Sequence, residues 1–224
     1  MRQVVDFLTG LRSNNNKIWF DAHKTQYLAA RKEFEAFTEQ LIAGIALFDP
    51  DVIGLTIKDC TYRIYRDIRF SNDKTPYKTH MGAYICPKGK KSGYAGYYFH
   101  VEAPGSEYIG NHLLSSGLYC PEPHILKSVR EDIMINGTEY ESAIRLARGF
   151  TLDTEDMLKK VPNGFPKDSR YAEYFKLKHH LISRTMDEAF LMSGQLLDNT
   201  LQEFKRTYKF VNILNRSVTY AIMQ

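Results

Sequence analysis

"THMGAYICPKGKKSGYAGYYFHVEAPGSEYIGNHLL", residues 79–114, decides the fold. Three runs in it, "THMGAYICP", "YAGYYFHVEA" and "EYIGNHLL", have the composition of strands. They are separated by "KGKKSG" and "PGS", both rich in turn formers. Connections this short make neighbouring strands antiparallel. In a strand, alternate residues share a face. Tyr97, Phe99 and Val101 form one apolar set, and Met81, Ala83 and Ile85 form another. A further strand is read just upstream, over residues 60–65, with Tyr62 and Ile64 turned to the core. The opposite face would then carry Arg63, Tyr65, His80, Tyr84, Tyr98, His100 and Glu102.

Helical patterns lie on both sides of these strands. A short amphipathic helix is read over residues 4–11, interrupted by "RSNNN". A long one is read over residues 16–48, where Phe20, Tyr27, Phe34, Phe37, Leu41, Ile45 and Phe48 recur at helical spacing. Asp49-Pro50 stops it, because proline disfavours helix in the residue before it. Downstream come helices from about Pro121 to Ile135 and Glu139 to Arg148, and a fifth strand in "HHLISRT". Two more helices follow, from Phe190 to Tyr208 and from Phe210 to Met223. The expectation is a single α+β domain over residues 1–224. Its sheet would be largely antiparallel, of four to five strands, covered by the long N-terminal helix and the C-terminal helices.

The net charge is only +4, which is poor for a general nucleic-acid coat. Yet residues 58–91 hold nine basic and three acidic side chains, leaving 21 basic against 23 acidic elsewhere. A local cationic excess attracts anions. Arginine grips phosphate and carboxylate in bidentate fashion, and lysine adds a point charge. Arg63, Arg66, Arg69, Lys74 and Lys78 are therefore the candidate anion ligands, with Asp67 orienting an arginine. His100 with Glu102 is the candidate acid/base pair, since a carboxylate beside a histidine sets its tautomer and raises its basicity. Tyr77, His80 and Tyr98 would line the pocket.

Several chemistries lack their motifs. Cys60, Cys86 and Cys120 form no CxxC pair, and buried reduced thiols in a cytosolic setting are the expectation. No HExxH, GxSxG, GxxxxGK[ST] or GxGxxG occurs, and no metal site is assigned. The N-terminal run containing Asp6 is unlike a secretion signal, and no apolar stretch approaches transmembrane length. A membrane association is not expected.

The stretch "RIYRDIRFSNDKTPYKTH", residues 63–80, resembles the RxxRDxRFxxxKxxY signature of an uncharacterised bacterial family, a domain of unknown function. Arg63, Arg66, Asp67, Arg69, Phe70, Lys74 and Tyr77 fill its fixed positions. "NNNKIWF", "GYYFHVE" and "GLYCPEP" are similar to that family too. The resemblance implies a single-domain cytoplasmic protein and supplies no reaction, cofactor or oligomeric state. The leading expectation is a protein that binds a phosphorylated or carboxylated small molecule in an arginine- and lysine-rich cleft at residues 63–80, with enzymatic activity left open. Two alternatives stand beside it. One is a nucleic-acid-binding module. The other is a non-enzymatic interaction domain in which the Arg/Asp/Lys motif is a structural ion-pair network.

Overall fold

A computed structural model describes residues 1–106 and 108–223. Its strands are β1 (His80–Ile85), β2 (Gly96–Glu102), β3 (His112–Leu118), β4 (Thr151–Leu152) and β5 (His180–Met186). They form one sheet in the order β1-β2-β3-β5-β4, and every neighbouring pair is antiparallel. The helices are α1 (Arg2–Ser13), α2 (Lys17–Ala22), α3 (Lys24–Ala46), α4 (Ile57–Cys60), α5 (Pro123–Leu146), α6 (Ala172–Phe175), α7 (Glu188–Leu191) and α8 (Leu196–Met223). This is the α+β architecture read from the alternation.

The two apolar strand sets face the helices. Met81, Ala83, Ile85, Tyr97, Phe99 and Val101 are all buried. Phe99 lies under Phe34 and Phe37 of α3, with ring centroids 6.2 and 4.7 Å away. Tyr97 meets Phe204 of α8 at 5.4 Å. Burying one such aromatic contributes about 2–3 kcal/mol. The inward face of α8 repeats at helical period through Thr200, Phe204, Thr207, Val211, Leu214 and Val218. Asn215 on the same helix exchanges two hydrogen bonds with the backbone of Ala95, at 2.7 and 3.1 Å, and so fixes the entry to β2. At Gly117 in β3, φ is +127° and an added Cβ would sit 2.0 Å from the His180 carbonyl oxygen, so the β3–β5 pairing requires glycine there.

Local side chains explain where the sequence reading of elements departs from the structure. The long helix expected over residues 16–48 divides at His23. The His23 ring stacks on Trp19 at 4.0 Å, and its Nδ1 lies 2.8 Å from the Trp19 carbonyl oxygen, competing with the helical ladder. The strand expected over residues 60–65 does not form. A capping box pulls residues 57–60 into the turn α4, with the Thr56 amide donating to Asp59 Oδ2 at 2.8 Å. Beyond it the chain makes single antiparallel bridges only, Thr61 with Ala83 and Tyr65 with Tyr77. Ile64 is buried as expected, but Tyr62 is exposed.

The two helices expected after Pro121 are one, α5, bent at Asn136, where φ is −117° and ψ 26°. The two expected at the C-terminus are also one, α8, of 28 residues. The short α7 is capped by the Asp187 side chain, which accepts from the Phe190 amide at 2.7 Å. The strand expected over residues 107–114 starts only at His112; Glu107 lies outside the described residues. Cys60 and Cys86 are buried, whereas Cys120 is exposed. Among the described residues no helix is long and apolar enough to cross a membrane.

Candidate functional site

The basic segment folds back on itself as an irregular hairpin. The Arg66 amide donates to the Pro76 carbonyl at 3.0 Å, and the Lys78 amide to the Ile64 carbonyl at 2.8 Å. Its base is clamped from 62 residues away: Asn15 Nδ2 donates to the Tyr77 carbonyl at 2.9 Å, and the Tyr77 amide returns a bond to Asn15 Oδ1 at 3.1 Å. Tyr77 is buried and stacked on Phe20, 4.1 Å between centroids. The three adjacent asparagines thus do three jobs. Asn14 bonds back to the Gly10 carbonyl at the end of α1, Asn15 holds the hairpin, and Asn16 caps α2 by accepting from the Trp19 amide.

Most of the hairpin's cations have internal partners. Arg66 Nη1 donates to Asp73 Oδ2 and to Thr75 Oγ1. The Thr75 amide and the Arg66 guanidinium hold the Asp73 carboxyl down at about 2. Arg69 grips Asp67 with two bonds, Nε to Oδ1 at 2.9 Å and Nη2 to Oδ2 at 2.7 Å, and so pushes the Asp67 carboxyl below the ordinary range. Lys74 Nζ donates to the Ile68 carbonyl at 3.0 Å.

Arg63 and Lys78 are placed differently. Arg63 is exposed, and neither side chain makes a hydrogen bond or ion pair among the described residues. Asp67 lies in electrostatic range of Arg63, but both its oxygens are engaged by Arg69. Burial first, and then Arg63, push the Lys78 ammonium below the ordinary lysine range. The Lys78 Nζ sits 5.5 Å from the ring centroid of Tyr62.

Beside this cation pair, β1 and β2 bring His80, Tyr98, His100 and Glu102 together on the sheet face away from α3 and α8. Cross-strand register pairs His80 with Glu102, Gly82 with His100 and Tyr84 with Tyr98. A chain of hydrogen bonds runs along β2. Tyr98 Oη lies 2.9 Å from His100 Nδ1, and His100 Nε2 lies 3.1 Å from Glu102 Oε2. His100 and Glu102 are buried.

The Glu102 carboxylate also accepts from the amides of Tyr108 (3.1 Å), Ile109 (3.1 Å) and Gly110 (3.1 Å). This nest draws residues 108–110 out of the sheet and delays the start of β3. Burial alone would raise the Glu102 carboxyl, but the bonds from His100, Ser106 and the loop amides outweigh it and hold it at about 2. With Glu102 ionised, a neutral His100 ring carries its proton on Nε2, so Nδ1 accepts from the Tyr98 hydroxyl. Burial keeps Tyr98 a phenol by raising its pKa.

His80 packs against His100 at 4.9 Å and is stacked on Tyr108 at 4.3 Å. Its Nδ1 is buried with no partner among the described residues. Burial, His100 and Lys78 together push its pKa down to about 3. Among the described residues no group of three or more His, Cys, Asp or Glu is arranged to hold a metal ion.

Gly82 makes this packing possible. An added Cβ would lie 2.5 Å from Tyr98 Oη, so the Tyr98 ring occupies the space above the glycine. Gly82→Ala is expected to displace Tyr98 from His100 and cost about 1–3 kcal/mol, the usual range for an overpacked site. Urea denaturation together with the Tyr98 ring shifts in NMR spectra checks both parts.

The residues foreseen as a site therefore fall into two groups. Arg63, Lys78, His80, Tyr98, His100 and Glu102 lie at or beside the β1–β2 face. Arg66, Asp67, Arg69 and Lys74 are bound up within the hairpin, and Tyr77 is in the core. Asn15 and the amides of residues 108–110 were not foreseen. The only hint in the sequence was the Asn-Asn-Asn run between two helices.

Comparison with curated proteins and with solved structures finds no match. A family model does match, over residues 3–212, and its description is "Conserved hypothetical protein (DUF2461)". Nearly the whole chain is covered, and the protein belongs to this family of unknown function.

Proposed function

We propose that the protein binds a small anionic molecule, a phosphate or carboxylate ester, over the β1–β2 face, and that Tyr98, His100 and Glu102 form a proton relay beside it. The observation that carries this reading is that Arg63 and Lys78, set on facing arms of the hairpin by the bond from the Lys78 amide to the Ile64 carbonyl, have no hydrogen bond or ion pair among the described residues. An anion between them supplies the counter-charge that neither has.

The relay balances as follows. A substrate proton moves to Tyr98 Oη as the Tyr98 proton moves to His100 Nδ1. The resulting imidazolium is stabilised by the ionised Glu102 at 3.1 Å. The reverse sequence delivers a proton to the substrate. Glu102 neither gives nor takes a proton, since the amides of residues 108–110 favour its charged form.

Within this reading, Arg66, Arg69 and Lys74 hold the hairpin in shape, as the ion-pair network favours. The reading includes a cytoplasmic setting, supported by three cysteines that are all free.

Calorimetric titration with phosphate and sulfate at low salt tests the binding. Arg63→Ala and Lys78→Ala are each expected to weaken it by roughly 10- to 100-fold, the loss of one charge-assisted hydrogen bond. The double variant Asp67→Ala/Arg69→Ala is expected to leave it within about twofold, because it removes two opposite charges already committed to each other. The reading fails if neither anion binds, or if this double variant weakens binding as much as Arg63→Ala.

A further inference from the structure

The cation pair is flanked by exposed aromatic rings, a combination that plain anion binding does not need. Tyr108 is 64% exposed although its backbone is tied down. Its amide donates to the buried Glu102 carboxylate at 3.1 Å, and one ring face lies on His80 at 4.3 Å with an interplanar angle of 12°. The loop is tied to the start of β1 as well, through Thr79 Oγ1 and Ser106 Oγ at 2.8 Å. Tyr108 is thus an aromatic plate supported on one face by His80 and exposed to solvent. Tyr62, beside Lys78, is 47% exposed and carries Lys78 and Lys90 over its ring at 5.5 and 5.9 Å. A ring positioned in advance saves the ordering cost on binding.

We propose that the ligand of this face is a nucleoside monophosphate, its phosphate on Arg63 and Lys78 and its base stacked on the outer face of Tyr108. This deepens the anion-binding reading and rests on it. Stacking on tyrosine accepts any base, so the geometry assigns the class and not the base. The cations favour a single nucleotide over a strand. Among the described residues, Arg63 and Lys78 are the two of the hairpin's charges left without internal partners, enough for one phosphate. A strand needs a row of such contacts.

The test is calorimetric titration at low salt with inorganic phosphate, ribose 5-phosphate and each of AMP, GMP, CMP and UMP. At least one nucleotide is expected to bind roughly 5- to 150-fold more tightly than ribose 5-phosphate, the range for one stacked base. Tyr108→Ala is expected to erase that ratio while ribose 5-phosphate still binds, and Tyr108→Phe to keep it. A thermal melt of each variant confirms folding; the Glu102 nest uses the backbone of residue 108, which both variants retain.

If ribose 5-phosphate and all four nucleotides bind equally, this inference is wrong and the anion site stands. If the nucleotide preference survives in Tyr108→Ala, the stacking assignment is wrong. If a ten-nucleotide single strand binds far more tightly than its mononucleotides, with a steep salt dependence, the face is a nucleic-acid surface instead. If no phosphate compound binds, both readings fall together.

Discussion

Glu102→Ala is expected to destabilise the protein by about 3–5 kcal/mol, the summed cost of leaving several buried donors without their acceptor. Four donors converge on this carboxylate: His100 Nε2 and the amides of Tyr108, Ile109 and Gly110. Alanine leaves all four without acceptors, and each buried orphan costs about 1–3 kcal/mol before water re-enters. Glu102→Gln keeps one acceptor oxygen and is expected to lose less. Two measurements check this. Urea denaturation gives the stability change, and hydrogen exchange at residues 108–110 should accelerate sharply in Glu102→Ala. A stability loss below about 1 kcal/mol would mean that the nest is not what holds the loop. The same substitution should remove the proton relay, because a protonated His100 would lose its counter-charge.

Stability is expected to fall steeply on acidification below pH 6.5. Two histidines carry most of this dependence, and His112, lowered by burial and by His100, adds to it in the same direction. His80 is held at about 3 by burial, His100 and Lys78. His180 is fully buried, bonded through Nδ1 to the Tyr140 hydroxyl at 2.9 Å, and held at about 3 by burial and Arg130. Both folded-state values lie below the ordinary 6.5, so the unfolded chain binds more protons in the window between about pH 3 and 6.5. Each histidine then contributes a loss of about 1.4 kcal/mol per pH unit in that window. From pH 8 to pH 4.5 the pair removes about 5 kcal/mol, a large part of a typical domain's stability.

Glu102 acts at the lower end. Its folded value of about 2 lies below the ordinary 4.5, so its stabilising effect is complete above pH 4.5 and is lost as pH falls through 2. Urea midpoints measured every half unit from pH 8 to pH 4.5 give the curve. His180→Gln should flatten it by about half. A midpoint that does not move between pH 7 and pH 5 would show that these rings are protonated when folded.

How much of this was legible in the sequence depends on the range of the forces involved. The inward faces of β1 and β2 follow from alternation, a local property, so Met81, Ala83, Ile85, Tyr97, Phe99 and Val101 could be placed in advance. The same alternation misled at residues 60–65. An extended loop also alternates, and the Thr56–Asp59 capping box that shapes the approach outweighs a weak strand propensity. The pairing of His100 with Glu102 was visible as two residues on one face of a strand. The loop amides around Glu102 were not, because side-chain identity does not say where backbone donors point. Nor could charge counting sort the arginines. Arg69 and Arg63 look equivalent in sequence, and only the turn that folds Asp67 onto Arg69 separates them. The Asn15–Tyr77 clamp joins segments 62 residues apart, and the run of three asparagines does not say which partner Asn15 reaches.

The bridge between Thr61 and Ala83 has a bearing on solubility. It lies along the outer rim of β1, which is the end of the sheet, where a bare row of backbone donors and acceptors would template the addition of a strand from another molecule. The opposite end is β4, only two residues long and too short to recruit a partner. The hairpin of residues 61–78 thus shields the longer rim, and its positive charges repel a second copy bringing the same hairpin. Loosening it, for example through the clamp variant Asn15→Ala, should expose that rim and promote β-rich aggregates, first at high salt, where the repulsion is screened.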